Sequence, residues 1–357
     1  MKTYGVILAG GGGTRFWPIS RENKPKQFLN LSGKDAMVME AAKRLNMITD
    51  KENIFVVTNA KTADETLEIT KDILSKDHIL GEPAARNTAA CIGYAAIEIL
   101  KKYEDGIMVI VPSDPFIGNE EEFAKVLKAA VSAAESQDKL VTVGIKPTFP
   151  STGYGYIKYD EAASDVAKKV YEFVEKPDLE TAQEYVESGE YAWNSGMFIW
   201  KASTIMKYFE RLLPDIYECL MKIKDALGTE KEQEVLDEIY PVIPKISIDY
   251  GIMERADNVL MLEGDFGWND VGSFDAFDFI HDKDENGNVA LSQNIAINAK
   301  DNIFYNVVDG HLIAALGVED LIVAHTKDVT LVCDKGRAQD IKLIVEKLKE
   351  QGKNQYL

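Results

Sequence analysis

The densest set of chemistry-bearing residues lies near the start of the chain, in LAGGGGTRFWPISRENKPKQFL. Gly10, Gly11, Gly12 and Gly13 follow a short apolar run, and Thr14, Arg15, Lys24 and Lys26 come after them. Glycines let successive backbone N–H groups turn toward an anion with no Cβ in the way, and Arg15 and Lys26 could then hold its charge. That is phosphate chemistry, although a glycine-rich turn with surface cations is the plainer reading of the same residues. Two familiar phosphate loops do not fit. No GxxxxGK[ST] occurs, and Arg15 stands where the dinucleotide fingerprint needs its third Gly or Ala, with prolines instead of a helix behind it. Two carboxylates join the set: Asp114 ends VIVPSD, and Asp270 sits in the turn-like WNDVGSF. Mg²⁺ takes few carboxylates plus phosphate oxygens, so two distant aspartates converging on one site would suffice, whereas each alone is also an ordinary turn or cap residue.

These residues need a scaffold. Apolar runs at 6–9, 54–58, 107–111 and 140–145 read as buried strands, and helical periodicity covers 36–47, 62–75, 88–103 and 120–136. Such alternation predicts a parallel, doubly wound α/β sheet whose ligands gather beyond the carboxyl ends of the strands, where the loops after Ala9 and Val111 lie. From residue 151 the pattern loosens, with GYGYIKY, VYEFVEK and GMFIW as strands and helices near 178–188, 201–211, 215–227 and 230–238. The turn-rich DKDENGN precedes six short β-like runs and a final amphipathic helix over 338–350. We place a domain boundary there: 1–284, catalytic, and 285–357, a small β-solenoid or sheet with its terminal helix.

Composition narrows the function classes. A chain of 357 residues that is 46% hydrophobic can build one large core and a smaller unit. A net charge of −19 disfavours nucleic acid and anionic membrane surfaces, so any anionic substrate must be met by local cations. Cys91, Cys219 and Cys333 have no CxxC spacing, and no signal peptide or membrane-spanning stretch is expected, which together suggest a reduced, soluble, cytoplasmic protein. His78, His281, His311 and His325 show neither metal spacing nor a nucleophile signature, so a hydrolase triad has no support.

The glycine segment closely resembles the signature of mannose-1-phosphate guanylyltransferases, usually GGSGTRLWPLSR followed by PKQFL; here Gly12 replaces Ser, and Phe16 and Ile19 replace Leu. The similarity extends over nearly the whole chain. It implies a Rossmann-like, GT-A-like mixed sheet, nucleotide contacts from Leu8 and Ala9 through the four glycines to Thr14, and Mg²⁺ on Asp114 and Asp270. PSDP and WNDVGSF resemble the family's PADH and W-x-DVGSW, with Pro115 in place of His and Phe274 in place of Trp. GEPAARNTAA is similar to the guanine-recognising segment and suggests Glu82, Arg86 and Asn87; an amide and exposed helix-terminal N–H groups suit a purine edge, and Asn87 or Thr88 should cap the helix. TGYGYI, FVEKPD and WNSGMF resemble the sugar-binding parts. There Gly155 joins the sugar-phosphate site, although the glycines and Trp193 also read as structural; Glu175 and Asn194 would meet hydroxyls, and Lys176 the sugar phosphate, with Asp249 and Glu254 of SIDYGIME as further acceptors. The implied reaction joins GTP and mannose 1-phosphate into GDP-mannose and diphosphate. The extra isomerase domain of longer relatives is not expected. Rivals are a guanylyltransferase for another sugar, such as a manno-heptose 1-phosphate, and an inactive regulatory homologue. The small C-terminal unit, from its size, is a reasonable homodimer surface.

Overall fold

Uninterrupted apolar runs such as TYGVILA and IMVIVP leave no face for water and are stable only as strands covered on both sides. The computed structural model describes residues 1–11, 13–136, 138–160 and 166–357. Gly12, a suggested phosphate contact, lies outside them. The chain runs β1 (Thr3–Ala9), α1 (Met37–Asn46), β2 (Ile54–Asn59), α2 (Ala63–Thr70), β3 (Ile79–Glu82), α3 (Asn87–Tyr103) and β4 (Ile107–Pro112). After the two-residue β5 (Phe116–Ile117) come α4 (Glu120–Ser136), β6 (Leu140–Ile145), β7 (Gly155–Tyr159), β8 (Lys168–Glu175), α5 (Leu179–Ser188) and β9 (Tyr191–Lys201). Then follow α6 (Ala202–Leu212), α7 (Pro214–Ala226), α8 (Glu232–Ile239), the one-turn α9 (Ile248–Gly251) and β10 (Val259–Gly264).

Nine strands form one sheet in the order β3-β2-β1-β4-β9-β6-β10-β8-β7. The first four are parallel, as strand–helix alternation requires, with Val6 opposite Phe55 on one side and Ile110 on the other. The long β9 runs antiparallel to both β4 and β6, and β7 and β8 pair antiparallel, so the sheet is mixed. Helix α3 covers it with a run of small residues, Ala89, Ala90, Ala95 and Ala96, all buried, which lets the helix axis approach the strands closely.

The described chain forms two compact units, each gathered from several stretches of sequence. The first comprises Met1–Gly10, Val38–Ser113 and Asn119–Trp268 and contains the nine-stranded sheet. The second gathers Gly11–Met37, Asp114–Gly118 and Asn269–Leu357. Beyond β11 (Trp268–Asn269) the second unit holds α10 (Phe277–Ile280), β12 (Val289–Ala290), β13 (Asn294–Ile297), β14 (Ile303–Asn306), β15 (Ile313–Leu316), β16 (Leu321–His325), β17 (Thr330–Asp334) and α11 (Ile341–Glu350). Strands β12, β14 and β16 stack in parallel, placing Val289, Ile303 and Ile322 in one inward row, while β13 stacks on β15. This is the solenoid expected for the C-terminus. That row packs with Phe16, Trp17, Ile19, Phe274, Phe277, Ile341 and Val345 in a single core. A unit this small cannot bury enough apolar surface alone, and the aromatic residues behind the glycines supply what it lacks.

An asparagine ladder fixes the solenoid corner. Buried Asn302 donates from Nδ2 to Asn288 Oδ1 (2.9 Å) and to the Val318 carbonyl (3.2 Å), and its Oδ1 accepts from the Leu321 N–H (2.9 Å). Among the described residues, no helix is long and apolar enough to cross a membrane. Replacing Asn302 by Ala removes the acceptor of the Leu321 N–H and one of the two donors to the Val318 carbonyl, which keeps the Lys300 N–H. We predict a loss of about 2–4 kcal/mol in urea unfolding; a loss below about 0.5 kcal/mol would show that the ladder is dispensable.

Candidate active site

In the second unit, the turn Thr14–Phe16 follows Gly13, whose φ of 54° lies in the left-handed region. A Cβ at Gly13 would come within 2.4 Å of the Lys26 Cβ, so this glycine is required both by its backbone and by the packing of Lys26. The ammonium of Lys26, a buried residue, donates to Asp114 Oδ2 at 2.8 Å and to the Asp270 carbonyl at 2.9 Å. The turn residue between Asp270 and Gly272 is Val271, a fully buried β-branched residue at φ 48°. Such a conformation costs on the order of 1–3 kcal/mol and persists only where packing imposes it.

These groups open onto one cavity of about 420 Å³, lined by Gly13, Thr14, Arg15, Lys26, Asp114, Asp270, Gly272 and Lys342. The donor set fits Mg²⁺. Two hard carboxylates face an open space that water or phosphate oxygens can share, and one oxygen of Asp114 is already neutralised by Lys26. The structure therefore brings Arg15, Lys26, Asp114 and Asp270 together, as the sequence suggested. It adds Lys342, which sequence reasoning passed over because its place in an amphipathic terminal helix already accounted for a lysine there.

In the first unit a second cluster forms from β7, β8, β9 and α9. Asn194 donates from Nδ2 to Asp249 Oδ1 at 2.9 Å, Lys176 Nζ lies 2.9 Å from Glu175 Oε1, and the Glu175 N–H donates to Glu254 Oε1 at 3.0 Å. A Cβ on Gly155 would stand 2.4 Å from Glu175 Oε2, so only glycine leaves that carboxylate in place. Glu175 Oε2 is buried and has no hydrogen-bond partner among the described residues, so it is available to accept from a ligand hydroxyl. Lys176 adopts φ 50°, like Val271 a non-glycine residue in the left-handed region at a candidate site. Burial, followed by the Glu175 charge, pushes the Asp249 carboxyl up to about 6, against the hydrogen bond from Asn194 and the Lys176 charge. Burial works to lower the Lys176 ammonium, but Glu175 and Asp249 outweigh it and hold it above the ordinary lysine value.

The suggested base-binding segment divides. Glu82 is turned into the core, where the Tyr240 hydroxyl donates to it, and burial pushes its carboxyl up to about 7 against that hydrogen bond and one from Cys91. Arg86 precedes α3 with its Nε buried and unpartnered among the described residues. Asn87 is exposed at φ 68°, and its Oδ1 accepts from the Thr88 N–H. Thr88 does not cap α3. Its Oγ1 accepts from the Ile248 N–H at 2.8 Å and so ties the start of α3 to the one-turn helix that carries Asp249. Short-range cap signals cannot show this, because the donor lies 160 residues away.

A carboxyl raised from its ordinary value of 3.8 to about 6 binds more protons folded than unfolded between those values, so its contribution to stability falls as pH rises from about 4 to about 6. The full cost is present above 6. Asp249→Asn keeps an acceptor for Asn194 and removes the charge. The ligand-free variant should therefore melt above wild type at pH 7.5 and close to it at pH 4, by differential scanning fluorimetry. A lower melting temperature at pH 7.5 would refute the electrostatic account.

Comparison with known proteins identifies the family. The nucleotidyl transferase family model matches residues 4–287, and that of the MannoseP isomerase/GMP-like beta-helix domain matches residues 292–348. A mannose-1-phosphate guanylyltransferase of Salmonella montevideo is 40% identical over 99% of this chain and 75% of its own length, and one of Escherichia coli K12 is 37% identical over the same shares. A crystal structure from Thermus thermophilus, reported as a mannose-1-phosphate geranyltransferase, superposes with a TM-score of 0.87 at 32% identity, covering 98% of this chain and 100% of that one. With its glycine turn, paired aspartates and β-helix unit, the chain belongs to the mannose-1-phosphate guanylyltransferases of the nucleotidyl transferase family.

Proposed function

We propose that the protein transfers a guanylyl group from GTP to α-D-mannose 1-phosphate, forming GDP-mannose and diphosphate. The observation that carries this reading is the Lys26 ammonium, held between the Asp114 carboxylate and the Asp270 carbonyl in a cavity whose remaining walls include Gly13, Thr14 and Arg15. A cavity lined by a glycine turn, a hydroxyl, cations and two carboxylates suits a polyphosphate. The hydroxyl acceptors of the first unit, Glu175, Asn194 and Asp249, suit a hexose, and Lys176 beside them suits its phosphate. Arg86 and Asn87, one with an unpartnered buried nitrogen among the described residues and one exposed, are the groups available to guanine.

A phosphate oxygen of the sugar phosphate forms a bond to the α-phosphorus as the bond from that phosphorus to the bridging oxygen breaks, and the electron pair leaves with diphosphate. Bound Mg²⁺, held by Asp114 and Asp270, would neutralise phosphate charge. Arg15 neutralises the departing phosphates, and Lys26 both orients Asp114 and contributes its own charge. Lys176 positions the nucleophile, while Glu175 and Asp249 hold the sugar through its hydroxyls. No proton transfer is needed at the nucleophile, so the work is positioning and charge neutralisation in a preformed cavity. The three cysteines are free, which accords with the reduced cytoplasm where such nucleotides are made.

With Mg²⁺ and mannose 1-phosphate, purified protein should release diphosphate from GTP and not from ATP, CTP or UTP; release only with a competing sugar 1-phosphate would change the assigned sugar. Arg15→Ala should lower kcat/KM for GTP by about 10²–10³-fold, equivalent to roughly 3–4 kcal/mol, with an unchanged melting temperature because Arg15 is exposed. Near-normal turnover in that variant would sink the assignment. Asp249→Asn should raise KM for mannose 1-phosphate at least about tenfold and leave KM for GTP within twofold.

A further inference from the structure

We propose that Lys342, on the terminal helix of the β-helix unit, is a catalytic residue that contacts the departing diphosphate. The inference deepens the guanylyltransferase reading and rests on it. Lys342 lines the same cavity as Arg15, Lys26, Asp114 and Asp270. It sits in the first turn of α11, between Ile341 and Val345, both buried in the core that also contains Phe16. Helix α11 packs directly on the Thr14–Phe16 turn, so the residue after Ile341 is carried to the side of that turn where Arg15 faces the cavity.

Electrostatics give this lysine no structural reason to be there. A cation in the first turn of a helix opposes the macrodipole, at a cost of about 0.3–1 kcal/mol. No acidic residue occupies that turn to compensate, and Asp340 before it makes no capping hydrogen bond. The other two lysines of α11 are paired, Lys347 with Glu350 and Lys349 with Glu22, whereas among the described residues none pairs with Lys342. An uncompensated cation aimed into a cavity that already holds Arg15 and Lys26 is arranged for an external anion. The three cations and two carboxylates of the lining leave it at a net charge of +1, in a chain whose total is −19.

The nature of the anion follows from what the cavity lacks. Its lining offers backbone N–H groups, a hydroxyl, cations and carboxylates, with no aromatic or amide side chain for a base and no acceptor array for a sugar beyond the two aspartates among the described residues. Of the fragments in the reaction, diphosphate alone consists only of phosphate. As the α-phosphorus to bridging-oxygen bond breaks, the electron pair and its charge pass to diphosphate, and Lys342 and Arg15 receive that charge together. The β-helix unit is then part of the catalytic machinery and supplies the cation that the glycine loop itself does not.

The test uses the full chain with Lys342→Met, Lys342→Arg and, as a helix control, Lys347→Met. In the reverse direction, from GDP-mannose and inorganic diphosphate, Lys342→Met should raise KM for diphosphate at least about tenfold while KM for GDP-mannose stays within twofold. Lys342→Arg should recover to within about threefold of wild type, and Lys347→Met should be indistinguishable from it. A Lys342→Met variant with a diphosphate KM within twofold of wild type overturns the proposal. Calorimetric titration of Mg²⁺ and inorganic diphosphate into the same proteins separates the inference from the reading beneath it. If wild type turns over no mannose 1-phosphate, the substrate assignment fails. A tenfold weaker diphosphate affinity in Lys342→Met would still support the contact, and an unchanged affinity would still exclude it.

Discussion

Three stretches of chain that are remote in sequence meet at one ammonium group. Lys26 belongs to the segment Gly11–Met37, Asp114 to the segment Asp114–Gly118, and Asp270 to the segment Asn269–Leu357; together these make up the second unit. The Lys26 Nζ bonds to the Asp114 carboxylate and to the Asp270 carbonyl, and its Cβ rests against Gly13. A buried lysine without these partners would be costly, and the aspartates without the lysine would repel each other across the cavity. The interaction therefore fixes the register of the glycine turn, the exit from β4 and the DVG turn at once. Val271 holds the last of these in an unfavourable backbone conformation, which its buried side chain enforces.

The cluster on the first unit is built on the opposite principle. Glu175 and Asp249 act on the Lys176 ammonium, Glu254 accepts from the Glu175 N–H, one oxygen of Glu175 has no donor among the described residues, and the backbone of Lys176 is left-handed. Each feature raises the energy of the empty protein. The sugar phosphate proposed for this cluster would bring several hydroxyl donors and one phosphate and relieve these features together. This also explains why Gly155 must be a glycine where no turn demands one: its absent side chain is the space in which Glu175 Oε2 sits.

Much of this was legible in the sequence, and the failures have physical causes. Continuous aliphatic runs marked β1, β2, β4 and β6, and helical periodicity marked α1 to α4, because burial on both faces or on one face leaves an unmistakable pattern. Strand β3, with only ILGE and a glycine inside it, fell below that threshold. The antiparallel entry of β9 between β4 and β6 was invisible, since its two faces are buried whatever its direction. Phe16 and Trp17 read as part of a phosphate loop, and nothing in their sequence shows that their side chains pack in the β-helix core. Among site residues, the glycines and the oppositely charged groups could be found by type. Glu82 could not be interpreted, because a carboxylate that accepts from a buried tyrosine 158 residues later looks like any other at the end of a strand.

If the cavity takes phosphate as proposed, the overall charge of the chain explains why cations line it. At −19 the molecule repels nucleotides at a distance, and with a screening length of roughly 8 Å at physiological ionic strength attraction must come from charges at the cavity itself. Most nearby cations are already engaged by the fold. Arg21 is paired with Asp328 and bonded to the Pro18 carbonyl, and Lys26 is occupied by Asp114. Of the cations that line the cavity, Arg15 and Lys342 have no ion-pair partner among the described residues, and they are carried by two elements packed on each other, the glycine turn and the terminal helix. A carboxylate placed to neutralise either one would stabilise the empty protein and compete with the substrate for the same charge. Leaving both uncompensated costs little because they are exposed, and it reserves the strongest local attraction in an acidic protein for an anion from solution.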